Sequence, residues 1–258
     1  MLILERQNRI LEIVNRKKAV TVAELSRQLY SSPATIRRDL GAMEKAGLLK
    51  RSHGGAVTIE STNVEAALTV REKENIREKR LIAELAVDFI RSSASLFLDS
   101  SSTAGAIIPF LDRFHTLTVI TTGLKNALFL SEKTDARIYL PCGVVAANSN
   151  SIIGADTLEY MAGIRTDVAF ISCSGMDAAE GVTEASVEQA QLKRRMLARA
   201  KVRVLLCDSS KWGQVYFGRT CGFDMLDAVI TNRPPQKELA AAIEKAGCEL
   251  LYPTEPEK

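Results

Sequence analysis

The residues best equipped for chemistry fall into two sets. Between positions 32 and 54 stand the cations Arg37, Arg38, Lys50 and Arg51. With them come the short hydrogen-bonding groups Ser32, Thr35 and His53, and the small residues Ala34 and Gly54. That set suits phosphates and base edges rather than bond making. The second set is strung along the later chain as short polar turns. They are Asp99-Ser100-Ser101-Ser102-Thr103, Thr121-Thr122-Gly123, Cys142-Gly143, Ser172-Cys173-Ser174-Gly175 and Asp208-Ser209-Ser210-Lys211. Hydroxyls, backbone N–H groups of small residues and a cation are what hold a phosphate, and Lys211 is the one cation in these turns. Glu188 and Lys193 lie on or beside a helix expected over 187–200, where they serve equally well as solvated helix charges or as pocket residues.

The elements that must position the first set can be read locally. Ser32 is a preferred N-cap and Pro33 fits the first helical position. Ile36, Leu40 and Met43 then repeat at i, i+4, i+7 as an apolar stripe, with Ala34, Arg37, Arg38, Gly41 and Lys45 opposite. Gly47 is placed to close the helix. With the preceding segment Val20–Leu29 and the turn Tyr30-Ser31-Ser32, this spacing predicts a helix-turn-helix whose second helix enters the major groove. The plain alternative is an amphipathic hairpin with a solvated basic face. The run 48–58 favours the first reading. It predicts a strand, a Gly-Gly turn at Gly54-Gly55 and a second strand, forming a basic wing. A helix over residues 3–16, apolar at Ile3, Ile10, Leu11, Ile13 and Val14 with Arg6 beside them, is expected to pack beneath. Arg16-Lys17-Lys18 ends it with positive charge, within reach of phosphate.

Charge is divided unevenly. Residues 1–60 hold 11 Lys/Arg against 6 Asp/Glu, a net +5, whereas the remainder nets −2. The basic excess therefore lies in the segment assigned to DNA. The five cysteines form no CxxC pair, and three of them (Cys142, Cys173, Cys207) end apolar runs, which predicts buried, reduced thiols in a cytoplasmic protein. No signal peptide and no apolar stretch near 18 residues is present, so no membrane partner is expected. No metal or cofactor motif is found. Gly-x-Ser-x-Gly, the P-loop, Gly-x-Gly-x-x-Gly and His-Glu-x-x-His are all absent. Of the two histidines, His53 falls in the wing and His115 between a helix and a strand, which leaves no obvious acid–base pair.

Residues 59–75 read as a linker, with Arg71-Glu72-Lys73-Glu74 as a solvated helix. A helix over 78–90 turns Leu81, Ile82, Leu85, Ala86 and Phe89 inward. Apolar runs at 95–98, 117–120, 136–140, 168–172, 201–207, 228–231 and 249–252 then alternate with helices. This predicts an α/β domain with a mostly parallel sheet. The chain thus divides into an N-terminal winged helix-turn-helix (1–58), a linker (59–75) and an α/β effector-binding and oligomerisation domain (76–258). Ligands of such sheets sit at the carboxyl ends of the strands, where the polar turns fall. At Asp99–Thr103 the choice between an anion site at a helix N-terminus and simple helix caps stays open.

The run Thr35-Ile36-Arg37-Arg38-Asp39-Leu40, followed by Gly47 and by Arg51-Ser52-His53-Gly54-Gly55, resembles the reading module of the DeoR family of bacterial transcription regulators. The later turns resemble the effector domain of that family, which is related in fold to sugar-phosphate isomerases. The loop 99–103 is similar to its Asp-x-Gly-(Ser/Thr)-Thr motif. Gly143, Gly181-Val182-Thr183 with Ser186, Glu188, Ala190, Lys193 and Met196, and Asp208-Ser209-Ser210-Lys211 with Gly213 match its pattern as well. The resemblance implies that the first loop and Lys211 hold the phosphate of a phosphorylated sugar, with Glu188 and Lys193 near its other end. Gly175 and Thr122 belong to the same set of turns. The chain departs from the family at Ser101 (usually Gly), Thr122 (usually Asn), Cys142 (usually Gly) and Ala146 (usually Arg), which implies a different ligand, a less charged one or a weakened site. The expected function is a non-enzymatic repressor of a carbohydrate-catabolism operon. Its partners would be double-stranded operator DNA, a phosphorylated sugar and further copies of itself, as a dimer or tetramer. An isomerase-like enzyme with a DNA-binding appendage and a ligand-independent DNA binder are the alternatives.

Overall fold

The computed structural model describes residues 3–45, 47–57, 62, 63, 65–146 and 148–254. The side chains of Leu4, Asn8, Asn15 and Arg16 also lie outside the description, so the phosphate role of Arg16 falls there, as do the strand end at Thr58 and the linker residues Glu60 and Ser61. The chain forms two compact units, Met1–Ala67 and Leu68–Lys258.

In the first unit, α1 (Ile3–Lys17) and β1 (Ala19–Thr21) precede α2 (Val22–Gln28), α3 (Pro33–Lys45), β2 (Lys50–Ser52) and β3 (Gly55–Val57). A capping box starts α2. Thr21 Oγ1 accepts from Glu24 N, and the Glu24 carboxylate accepts from Thr21 N, so two free helix-end donors are satisfied together. The strand order is β1-β3-β2, and β1 was not legible as a strand in the sequence. Ile10, Val14, Leu25, Ile36, Leu40 and Met43 fill the core. Leu11 and Ile13 are buried with them, but Ile3 is 63% exposed, because it opens α1 before the helix reaches its neighbours. At the end of α3 the Gly47 N–H donates to Glu44 O and the Leu48 N–H to Met43 O, a Schellman closure with Gly47 at φ +68°.

The second unit opens with α4 (Leu68–Arg71) and α5 (Ile76–Ala86). There follow β4 (Ser95–Leu98), α6 (Ser102–Gly105), β5 (Thr118–Thr121), α7 (Leu124–Lys133), β6 (Arg137–Tyr139), β7 (Val144–Ala146), β8 (Ser151–Ile153) and α8 (Ala155–Ala162). The chain continues through β9 (Thr166–Ile171), β10 (Gly175–Asp177), β11 (Gly181–Glu184), α9 (Val187–Ala198), β12 (Ala200–Leu206) and β13 (Gly218–Cys221). It closes with β14 (Ala228–Ile230), α10 (Lys237–Lys245) and β15 (Glu249–Leu251). The seven expected apolar runs all join one sheet, in the order β15-β14-β12-β9-β4-β5-β6, and every pairing in it is parallel. Leu96 and Leu98 face α5 and α6 while Phe97 faces the opposite layer, so both faces of the sheet are buried. Two antiparallel pieces were not anticipated: the sheet β10-β11-β13 and the hairpin β7-β8.

The Arg71–Glu74 run is not the solvated helix expected of it. The helix spans Leu68–Arg71 and stops, with Leu68 buried and Arg71 and Glu72 half-buried. Four cysteines are buried as free thiols, but Cys142 is exposed, since it precedes the solvent-facing strand β7 rather than ending a core strand.

Leu40 is 1% exposed at the centre of the first unit. Leu40→Ala is therefore expected to cost about 2–5 kcal/mol in the urea unfolding of that unit, with the transition of the second unit unchanged.

Candidate functional site

Local forces set the reading surface. Ser32 Oγ accepts from Thr35 N at 3.2 Å and shares a hydrogen with Thr35 Oγ1 at 2.8 Å, which starts α3. The stripe Ile36, Leu40, Met43 turns inward and leaves Ser32, Ala34, Arg37 and Arg38 exposed and Thr35 half-buried. Asp39 breaks the apolar pattern of the inner face. It is buried because Arg6 reaches it from α1, Nε to Oδ2 at 2.5 Å and Nη2 to Oδ1 at 3.3 Å, and that carboxylate holds the guanidinium pKa up. The pair ties α3 to α1.

Lys50, Arg51, His53 and Gly54 are all exposed on the wing. The turn is His53-Gly54 rather than Gly54-Gly55. The register pairs Ser52 with Gly55, and a Cβ on Gly55 would stand 2.1 Å from Val20 O. Gly55 is thus needed for strand approach and Gly54, at φ +83°, for the turn. The Gly54 carbonyl accepts from Val22 N, and Arg51 N donates to Glu44 Oε1, so the wing is tied both to the start of α2 and to α3. The unit thereby presents a rigid cationic face suited to a duplex.

In the second unit the strand order reverses between β4 and β9, where the loops after the two strands part and open a crevice. Asp99 lies there, 1% exposed. Its Oδ1 accepts from Ser101 N and its Oδ2 from Ser172 N, each at 2.8 Å. Lys193 enters from α9 and stands 3.2 Å from Asp99 Oδ2, donates to Ser172 O at 3.0 Å and pairs with Glu184. Glu184 is buried as well and accepts from Ser174 Oγ at 2.8 Å. Two carboxylates, Asp99 and Glu184, gather around this one ammonium beneath the crevice. The cluster is hydrogen-bonded throughout, as burial of charge requires.

A second constellation lies at the other side of the same loops. Lys79, on the buried face of α5, is 6% exposed. Its ammonium donates to the carbonyls of Arg71 and Glu74. Burial lowers its pKa to about 8; the Asp208 and Glu74 charges oppose that shift, and those of Lys211 and Arg71 reinforce it. Asp208 accepts at Oδ1 from Ser210 N and Oγ and from Asn75 Nδ2. Ser102 Oγ, half-buried, points at Arg71 O, 3.4 Å away. A pocket of about 450 Å³ adjoins this cluster, with Lys79, Lys125, Glu72, Glu132, Ser102 and Asn126 on its polar side and apolar side chains such as Ile76 and Phe129 opposite.

The expected site residues are therefore distributed unevenly. Ser100, Ser101, Thr103 and Thr122 are buried in the loops themselves. Ser101 Oγ caps α6 by accepting from Ala104 N at 3.0 Å, so the cap reading holds for that serine. A four-residue α6 supplies little of the helix-end field expected for an anion. Gly143 and Gly175 are needed sterically. A Cβ there would stand 2.2 Å from Thr157 Oγ1 and from Gln214 O respectively. Glu188 does not join the buried cluster. It is exposed on the first turn of α9, and Ser186 Oγ donates to its carboxylate, which lowers its pKa. Glu184 occupies the buried position instead. Lys211 is half-buried beside Lys79.

Lys79, Asn126 and Glu184 were missed in the sequence. Asn126 Nδ2 donates to Asp99 O at 2.8 Å and to Ser101 O at 3.3 Å, which locks the first loop. The available signal was Lys79 itself: it lies three residues before Ile82 and seven before Ala86, on the buried stripe of α5. Among the described residues no cluster of three or more potential metal ligands occurs, and no helix is long and apolar enough to cross a membrane.

Comparison with known proteins agrees with both halves of this description. The DeoR-like helix-turn-helix domain matches residues 6–62 and the DeoR C terminal sensor domain matches residues 74–233. The HTH-type transcriptional regulator GolR of Listeria innocua is 35% identical over 246 residues, 94% of this chain and 96% of that protein. The glycerol-3-phosphate regulon repressor of Escherichia coli is 31% identical over 231 residues, 90% and 91% respectively. Among solved structures, a D-ribose-5-phosphate isomerase aligns with TM-score 0.38 and 18% identity over 52% of each chain, too loose a likeness to bear on chemistry. The relatives that span the chain are regulators and not enzymes, and this protein belongs to the DeoR family of helix-turn-helix transcriptional regulators.

Proposed function

We propose that the protein is a cytoplasmic repressor of a carbohydrate-catabolism operon, released from its operator by a phosphorylated sugar or related metabolite. The observation that carries the sensing half is the buried ammonium of Lys79, which shares the Arg71 carbonyl with Ser102 Oγ and is near enough to Lys211 and Asp208 to feel both charges. A dianionic phosphate offsets the mutual repulsion of the two lysines better than any neutral ligand. The polar cluster of Asp99, Lys193 and Glu184 then suits hydroxyls at the far end of the ligand. That agrees with Ala146 standing where the family usually has Arg. Two reading heads on a two-fold operator require at least a dimer. An effector that prefers one arrangement of the heads weakens DNA binding by the same factor by which DNA weakens effector binding.

Three measurements test this reading. Arg37→Ala combined with Arg38→Ala is expected to abolish sequence-selective retention of genomic fragments. Lys50→Ala is instead expected to weaken all sequences alike and to reduce the slope of log affinity against log salt by about 0.9. Unchanged selectivity in the double variant would falsify the assignment of α3.

Phosphate binding favours protonated Lys79, whose pKa of about 8 lies below that of an ordinary lysine. Affinity for any phosphate that raises the melting temperature should therefore fall as pH rises from 7 to 9. Lys79→Met should bind at least tenfold more weakly at pH 7 and lose that pH dependence, as read by calorimetry.

Lys193→Met tests whether that lysine is structural. It would leave Asp99 and Glu184 buried without their cation, at an expected cost of about 3–5 kcal/mol in the urea unfolding of the second unit. A loss under 1 kcal/mol would remove Lys193 from its assigned place under the loops.

A further inference from the structure

The segment Leu68–Asn75 is the first stretch of the second unit, and through it the chain arrives from the reading head. It is held at several steps to α5, to α6 and α7, and to loops at the carboxyl edge of the sheet. Leu68 N donates to Asn148 O at 2.8 Å, on the turn between β7 and β8. The Arg71 carbonyl accepts from Lys79 Nζ and Ser102 Oγ, and the Glu74 carbonyl from Lys79 Nζ at 2.8 Å. The Glu72 carboxylate pairs with Lys125 at the start of α7. Asn75 Nδ2 donates to Asp208 Oδ1 at 3.0 Å and to Ser210 Oγ at 3.2 Å. Lys79 and Ser102 are two of the donors assigned above to the effector phosphate, and main-chain oxygens of the segment already occupy both.

We propose that Leu68–Asn75 is a latch that competes with the effector. The carbonyls of Arg71 and Glu74 take the donors a phosphomonoester needs, so docking of the segment and binding of the phosphate exclude one another. The proposal rests on the sugar-phosphate reading above and adds the route by which that ligand reaches the reading head.

Two physical considerations support it. A neutral carbonyl is the weaker partner for a buried ammonium, since it brings no net negative charge to set against the lysine's own, whereas a dianion adds Coulombic attraction to the hydrogen bond. The depressed pKa of Lys79 marks a cation that two carbonyls leave under-compensated. A dianion is therefore able to displace them. Release also changes the tether. Eight residues that were fixed to the sheet edge become free, adding up to about 27 Å of extended chain between the reading head and the sensor. By linkage, whatever the docked segment contributes to positioning the head is subtracted from effector affinity, and the reverse.

Hydrogen–deuterium exchange of the full chain tests the latch, read in peptides covering 68–75. Without ligand, Lys79→Gln and, separately, Lys125→Ala are expected to speed exchange at Leu68, Glu72 and Lys73 by at least tenfold. Exchange in β4, β9 and β12 should stay unchanged, which shows that the unit still folds. Unaltered protection of the segment in both variants overturns the latch.

Inorganic phosphate, glycerol 3-phosphate and ribose 5-phosphate are then added to the unaltered protein. The latch requires that a phosphate which raises the melting temperature also deprotects 68–75, with the same midpoint. A raised melting temperature with the segment still protected sinks the latch and leaves the effector reading standing. If no phosphate moves either readout, the effector reading fails and the latch with it.

Discussion

The second unit depends on one buried ammonium. Lys193 stands between Asp99 and Glu184, and the three residues come from α9, the loop after β4 and the end of β11. Without the lysine, two carboxylates would share an interior too poor in solvent to hold both charges. With it, the loops after β4 and β9 are locked to each other through Asp99 and Ser172, at the place where the strand order reverses. Every other feature of the candidate effector site follows from that lock. Asn126 secures the first loop from α7, Ser102 is left at its outer edge, and the lysines of α5 and of the Asp208 loop approach from the far side.

The two units meet opposite electrostatic demands. The reading head keeps its positive charge at the surface, where it is solvated until DNA replaces the water. Among the described cations of that unit Arg6 is drawn inward, where it ties α1 to α3 through Asp39. The sensor instead buries a few charges, Asp99, Glu184, Lys193 and Lys79, and each has hydrogen-bonding partners there. On the proposed reading, the phosphate of a ligand would meet the cations Lys79 and Lys211.

The hairpin β7-β8 and the antiparallel sheet β10-β11-β13 show where the chain was illegible. Val144 and Val145 are apolar, yet they are 68% and 49% exposed. Their strand pairs with β8, whose Ile152 N donates to Thr122 O at the carboxyl edge of the sheet. No local pattern distinguishes a short apolar strand that covers a site from one that fills a core. Glu184 and Glu188 present the same difficulty. Both are acidic and lie four residues apart, but one ends a buried strand and the other starts an exposed helix turn.

Much was nonetheless decided by the order of residues alone. The apolar stripe of α3 with its Ser32-Pro33 start, the wing that follows, and the seven alternating apolar runs are consequences of local periodicity and capping. Local periodicity needs no knowledge of distant neighbours. What the tertiary structure decided is which polar groups lose water. Asp39 and Lys79 are buried because partners far along the chain, or the backbone of another segment, reach them. Glu188 stays exposed because none does. Desolvation is a property of the packed surface and not of the residue. The floor of the crevice, the under-compensated lysine and the segment docked against it therefore appear only once the strands are placed side by side.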